Sequence, residues 1–218
     1  MQKYHIPKEF GGWITTFLTF LLSLGYYLIY DKLIFMLIIF WLPVFFGLML
    51  FDSKIKNLNK FEVLLLVFAL IFGSISIIEN ICMIIPYLFY IISYFLRQKK
   101  IDNAFITFFG LIGQSTMFYF SLNFIHYHLV YLSFLLFIYL YGAEFGIKSL
   151  IRKNLLYSFY NFIPFLAGLL LGLPIFVIAL TRISYVYIKK IKIIGIMETA
   201  FYIVIIIFIF KIPLFHLV

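Results

Sequence analysis

Long apolar runs constrain this chain more than any other feature in it. They cover Trp13–Tyr30, Leu33–Phe51, Phe61–Ile78, Ile81–Leu96, Ala104–Phe120, Leu129–Ile147, a longer stretch at Leu155–Ile188, and Ile194–Ile212. A helix crossing the hydrocarbon core of a bilayer needs about 20 mostly apolar residues. Backbone polar groups cannot go unpaired in lipid, which leaves helices and closed barrels. The runs lack the alternation of apolar and polar residues that a barrel strand requires. The expectation is an all-α fold, a polytopic transmembrane helical bundle in which residues 1–218 form a single integral membrane domain.

Composition agrees. Hydrophobic residues make up 66% of the chain and charged ones 11%, against about 45–50% and 25% in soluble domains. The mean hydropathy is +1.15. A soluble fold of this size could not hide so much apolar surface. The net charge of +9 does not indicate a nucleic-acid partner, because the basic residues stand in twos and threes between apolar runs. That is how membrane topology is encoded. Cys82 is the single cysteine, so no intrachain disulfide can form. The first apolar run ends without a small-residue cleavage site, so it reads as a retained helix.

Basic residues also set the direction of the helices. Leu155–Ile188 could be one long helix, giving eight spans, or two short helices joined at Gly172-Leu173-Pro174, giving nine. With nine spans, 14 of the 17 Lys and Arg fall on the side of the N-terminus, two fall opposite (Lys32 and Lys211), and Arg182 lies within a helix. The positive-inside rule then favours nine spans, a cytoplasmic N-terminus and an external C-terminus.

Ionisable residues inside spans are expensive and tend to face the bundle interior. In the nine-span arrangement Glu9, Glu62, Glu144, Arg182 and Glu198 share a similar depth near the cytoplasmic surface. They outline a polar cavity opening to the cytoplasm, which Asn161 and Gln114 would extend inward. Arg182 is expected to pair with a carboxylate, Glu198 being the nearest candidate across one short loop. Simpler roles compete. Glu62 fits a helix first turn, where the dipole favours acids, and Glu144 stands four residues before Lys148 as a surface pair would. His126 and His128 are too few ligands for a metal site. The Gly110-x-x-Gly113 and Gly168-x-x-x-Gly172 spacings suit close helix packing. Gly11 and Gly12 would let the lead-in turn into the first helix, and Trp13 suits the interface belt.

Pro7-Lys8-Glu9-Phe10-Gly11-Gly12-Trp13 resembles the N-terminal signature of the YwiC-like membrane proteins, Pro-Arg/Lys-Glu-His-Gly-Ala/Gly-Trp. Ile191–Glu198 resembles that family's basic segment followed by Ile/Leu-Gly-x-x-Glu at the opening of the last helix, and Lys148–Arg152 gives a weaker match. The resemblance runs in order along the whole chain. It implies a polytopic membrane protein and marks Glu9, Gly11, Gly12, Trp13 and Glu198 as site residues. Phe10 stands where the family usually has His. The span count and the cytoplasmic cavity are also similar to those of UbiA-type prenyltransferases. Those enzymes hold magnesium and pyrophosphate on Asp-rich motifs, however, and here Asp31, Asp52 and Asp102 are isolated.

Three function classes follow. The first is a protein that binds or moves a small or lipid-like ligand at the cytoplasmic cavity, with membrane lipid as its surroundings. The second is a membrane enzyme acting on a lipid or quinone precursor. The third is an accessory subunit with partners in a membrane complex. No cofactor or metal is expected: there is no P-loop, and His5, His126, His128 and His216 lie outside the spans or at their ends.

Overall fold

A computed structural model describes residues 10–29, 32–50, 53, 57–99, 103–122 and 127–152, with 177, 178, 181, 182, 193, 196–198, 200–205 and 207 beyond them. Among the described residues the secondary structure is helical. It comprises α1 (Phe10–Ile29), α2 (Ile34–Leu50), α3 (Lys60–Glu79), a 3-10 turn (Ile81–Met83), α4 (Ile84–Gln98), α5 (Asn103–Ser121) and α6 (Tyr127–Arg152). These helices fall on the first six apolar runs. The chain divides into two compact units, Met1–Ile125 and His126–Val218. Residues 153–176, with Gly168 and Gly172 among them, lie outside the described residues.

Two helical stretches, Lys60–Glu79 and Ile81–Gln98, are long and apolar enough to cross a membrane. Their packing is inside-out. On α3 the buried residues are Leu65, Gly73 and Ser76, whereas Leu70, Ile71 and Ile78 are exposed. On α4, Pro86 and Ser93 are buried while Leu88, Ile91 and Phe95 point outward. Apart from Leu65, small and polar residues sit at the helix contacts and large apolar ones outside, the arrangement expected of helices solvated by lipid.

Local signals set the ends of these helices. Asn59 caps α3: its side chain accepts from the Glu62 N–H at 2.9 Å, and the Glu62 carboxylate accepts from the Asn59 N–H at 2.8 Å. Glu62 is thus a capping-box acid, the structural role its first-turn position predicts. Ser53 ties the α2–α3 connection to α3 and α4. Its hydroxyl donates to Glu62 at 2.5 Å, and its carbonyl accepts from Tyr94 Oη at 2.9 Å and Gln98 Nε2 at 2.7 Å. Asn80 ends α3 in an extended conformation and its side chain accepts from the Cys82 N–H, starting the 3-10 turn.

Pro43 lies inside α2. A helical proline has no N–H for the carbonyl four residues earlier, which here belongs to Ile39. The Ser76 hydroxyl of α3 donates to that carbonyl at 3.1 Å, shared with Phe72 at 2.6 Å. The neighbouring Phe40 carbonyl accepts from Tyr87 Oη of α4 at 2.7 Å. Three helices are therefore joined around the proline, and Gly73 of α3 packs beside it: a Cβ there would sit 4.0 Å from Pro43, at ordinary contact distance. At the α4–α5 contact, a Cβ at Gly113 would lie 3.2 Å from the Tyr90 ring and one at Gly110 3.5 Å from the Ser93 hydroxyl. The glycine pair read from sequence is a packing feature.

Candidate functional site

The second unit contains a buried charge. Arg182 is 2% exposed, and its guanidinium meets the Glu198 carboxylate in a fork-to-fork pair. Nε donates to Oε1 and Nη2 to Oε2, both at 2.8 Å. Nη1 donates to the Tyr139 carbonyl at 3.1 Å. The guanidinium carbon also lies 4.7 Å from the centre of the Tyr139 ring. Bidentate geometry is the strongest form of Arg–carboxylate contact, and the aromatic face adds an attraction that desolvation strengthens.

Tyr139 closes the circuit. Its hydroxyl donates to the Glu198 backbone carbonyl at 2.9 Å and lies 3.3 Å from Glu198 Oε2. Tyr202, one turn beyond Glu198, places its ring 5.6 Å from that of Tyr139. Both ends of the Arg182–Glu198 pair are thus held by one residue of α6. Glu198, at 12% exposure, is the more open partner. The cluster fixes a buried positive group in orientation, with its carboxylate partner the more open of the two.

Of the other residues expected at a shared cavity, Glu9 and Asn161 lie outside the described residues. Gly11, Gly12 and Trp13 fall in the first turn of α1, which begins at Phe10. The glycines are therefore helical and do not form a turn ahead of the helix. A helix's first N–H groups have no intrahelical partner in any case, so glycine is tolerated there. Glu144 is in α6, five residues beyond Tyr139, or about 7.5 Å along the axis at 1.5 Å per residue. Its side-chain surroundings are outside what is described. Gln114 belongs to the first unit, where its amide donates to Thr15 and Thr16 at 3.2 and 2.6 Å. The structure brings together Arg182 and Glu198, and adds Tyr139 and Tyr202. Sequence reasoning passes over those two because nothing distinguishes them among 17 tyrosines. Among the described residues, no group of three His, Cys, Asp or Glu is placed to hold a metal ion.

Compared with protein-family models, curated proteins and solved structures, the chain matches none of them.

Proposed function

We propose that this chain is a multi-pass membrane protein that binds or moves a small or lipid-like ligand, with Arg182, Glu198 and Tyr139 as its polar centre. The observation that carries this reading is the 2%-exposed arginine, bidentate to Glu198, in a chain that is 66% hydrophobic. An ion pair is an inefficient way to stabilise an apolar interior, since well-packed hydrophobic residues often do as well or better. Intramembrane charges mark ligand and ion pathways. The reading includes nine spans, a cytoplasmic N-terminus, an external C-terminus and the cluster's approach from the cytoplasmic side, all from the distribution of Lys and Arg. The residue patterns shared with YwiC-like proteins support the multi-pass part and point to Glu198.

The test is a charge-free replacement, Arg182→Leu with Glu198→Leu. Removing both partners avoids leaving a buried charge, so the variant should fold. Wild type and variant are extracted from membranes in mild detergent, and bound species are read by native mass spectrometry. The wild type should carry a lipid or small molecule that the folded variant lacks. The same species on both at equal occupancy, or none on the wild type, would overturn the proposal in favour of a structural or accessory role.

A further inference from the structure

The first unit gathers positive charge at one end. From Ser53 to Lys60 the chain carries Lys54, Lys56 and Lys60 and no acid, and from Arg97 to Lys100 it carries Arg97, Lys99 and Lys100 and no acid. Hydrogen bonds hold these two segments to each other. The Ser53 hydroxyl donates to Glu62 at the start of α3, at 2.5 Å, while the Ser53 carbonyl accepts from Tyr94 and Gln98 of α4 at 2.9 and 2.7 Å. Lys60 follows Asn59, whose N–H donates to Glu62, and Lys99 follows Gln98. Asp52, Glu62 and Asp102 stand at the edges, so the six basic residues outnumber the nearby acids. Both Glu62 oxygens are engaged, one by Ser53 and one by the Asn59 N–H. Lys54, Lys56 and Lys100 lie outside the described residues, whereas Lys60 and Lys99 are described and exposed.

The faces that carry the two lysines select the partner. Residues four, seven and eleven apart share a helix face. Lys60 shares its face with Leu64, Val67 and Ile71, all exposed. Lys99, whose N–H still bonds the Phe95 carbonyl, ends a face formed by Leu88, Ile91 and Phe95, which are exposed as well. Each lysine therefore crowns a column of outward-facing apolar residues. Each column is about 17 Å long at 1.5 Å per residue, close to half of a hydrocarbon core about 30 Å thick. A free phosphate would use the charge and leave the columns unused, whereas an amphiphile with an anionic head and acyl chains fits both. Basic segments beside membrane spans attract anionic headgroups in this way. We propose that the end of the first unit held together at Ser53 is a docking surface for anionic lipid, with Lys60 and Lys99 as headgroup contacts. The inference rests on the membrane reading and on neither Arg182 nor Glu198. It also holds for either span count, since both place the two segments on the side of the N-terminus.

The full chain in mild non-ionic detergent tests this. It is titrated with phosphatidylglycerol and, separately, with phosphatidylcholine of the same acyl chains, and bound lipid is counted by native mass spectrometry. The wild type should bind phosphatidylglycerol more tightly, and the preference should shrink as salt is added. Lys60→Gln/Lys99→Gln should weaken phosphatidylglycerol binding about thirty-fold, or about five-fold per lysine, and leave phosphatidylcholine binding unchanged. Lys60→Arg/Lys99→Arg should keep the preference. So should Arg182→Leu/Glu198→Leu, which separates this surface from the ligand site proposed above. Equal binding of the two lipids to the wild type overturns the proposal, as does unchanged phosphatidylglycerol binding in the glutamine pair. Loss of the preference in Arg182→Leu/Glu198→Leu overturns it by assigning the lipid to that cluster. Release of bound phosphatidylglycerol by inorganic phosphate at constant ionic strength overturns it by showing a free-anion site. Should the glutamine pair fail to fold, the wild type decides: a salt-sensitive preference that inorganic phosphate does not displace sustains the proposal, and any other result overturns it.

Discussion

Glu198→Gln is the most informative single perturbation of the charged cluster. It keeps the shape of the side chain and removes its charge, leaving the Arg182 guanidinium without its carboxylate. Breaking a buried ion pair by removing one partner costs about 3–5 kcal/mol. Two features place this pair at or below the lower end. Glu198 is 12% exposed, so its charge is not sealed inside the protein, and the glutamine oxygen can still accept one bond from Arg182, recovering about 1 kcal/mol. The net expectation is a loss of about 2–3 kcal/mol. At roughly 2–4 °C per kcal/mol for a chain of this size, the unfolding temperature should fall by about 4–12 °C. Differential scanning fluorimetry in one detergent at one protein concentration measures this, with the Arg182→Leu/Glu198→Leu double variant beside it. The double variant should unfold closer to wild type than the single one does. Glu198→Gln within a degree of wild type would mean that the pair is open to water and that Arg182 does not depend on Glu198. A double variant as unstable as the single one would refute the claim that the uncompensated charge is the source of the loss.

Other outcomes follow from the fold. Ser76→Ala should cost about 1–2 kcal/mol because it strips the Ile39 carbonyl of its donor; in a Pro43→Ala background the restored backbone N–H serves that carbonyl, and a double-mutant cycle of unfolding free energies should show the cost shrink. Gly113→Ala should cost about 1–3 kcal/mol because the new methyl meets the Tyr90 ring at 3.2 Å, whereas Gly47→Ala, with nothing within 4 Å, should be neutral or stabilising by up to about 1 kcal/mol; thermal unfolding of the two side by side separates packing from propensity. A reporter fused after Val218 should read as external and one inserted in the Arg97–Asn103 connection as cytoplasmic; a cytoplasmic signal from both would restore the eight-span arrangement.

The helices are legible because the apolar runs leave the backbone one solution in lipid, and Glu62 fits the first turn of α3 by its position, although its cap partner Asn59 appears only in the structure. Pro43 is legible as a residue but not as a structural centre. Nothing in the local sequence says that Ser76, 33 positions later, supplies the donor for Ile39, because that bond depends on how two helices align. The glycine pair at 110 and 113 signals packing, yet its partner, the Tyr90 ring, becomes visible only with the register between α4 and α5. Where α1 begins is hidden for a similar reason. Gly11 and Gly12 tolerate a turn, but tolerance of a turn does not exclude a helix.

The buried ion pair and the neutral polar groups of the first unit differ in legibility because charge and neutral polarity differ in cost. A lone arginine at mid-membrane costs about 2.5–3.5 kcal/mol even on lenient scales, so a chain keeps one there only with a partner, and few carboxylates compete for that role. Five Glu and three Asp occur in all, which is why Arg182 and Glu198 can be associated from sequence. A tyrosine hydroxyl, an indole N–H or a glutamine amide costs less to bury, and tyrosine is common enough here that its presence in a helix carries almost no information. Tyr139, which holds both halves of the ion pair, is therefore invisible in the sequence, as are Trp41 and Tyr90, whose polar atoms are buried in the first unit. What identifies these neutral groups is their pairing: Tyr139 bonds both sides of a charge, while the three groups in the first unit have nothing to bond among the described residues. Pairing belongs to the tertiary structure, so neutral groups of this kind stand out only when donors and acceptors are matched helix against helix.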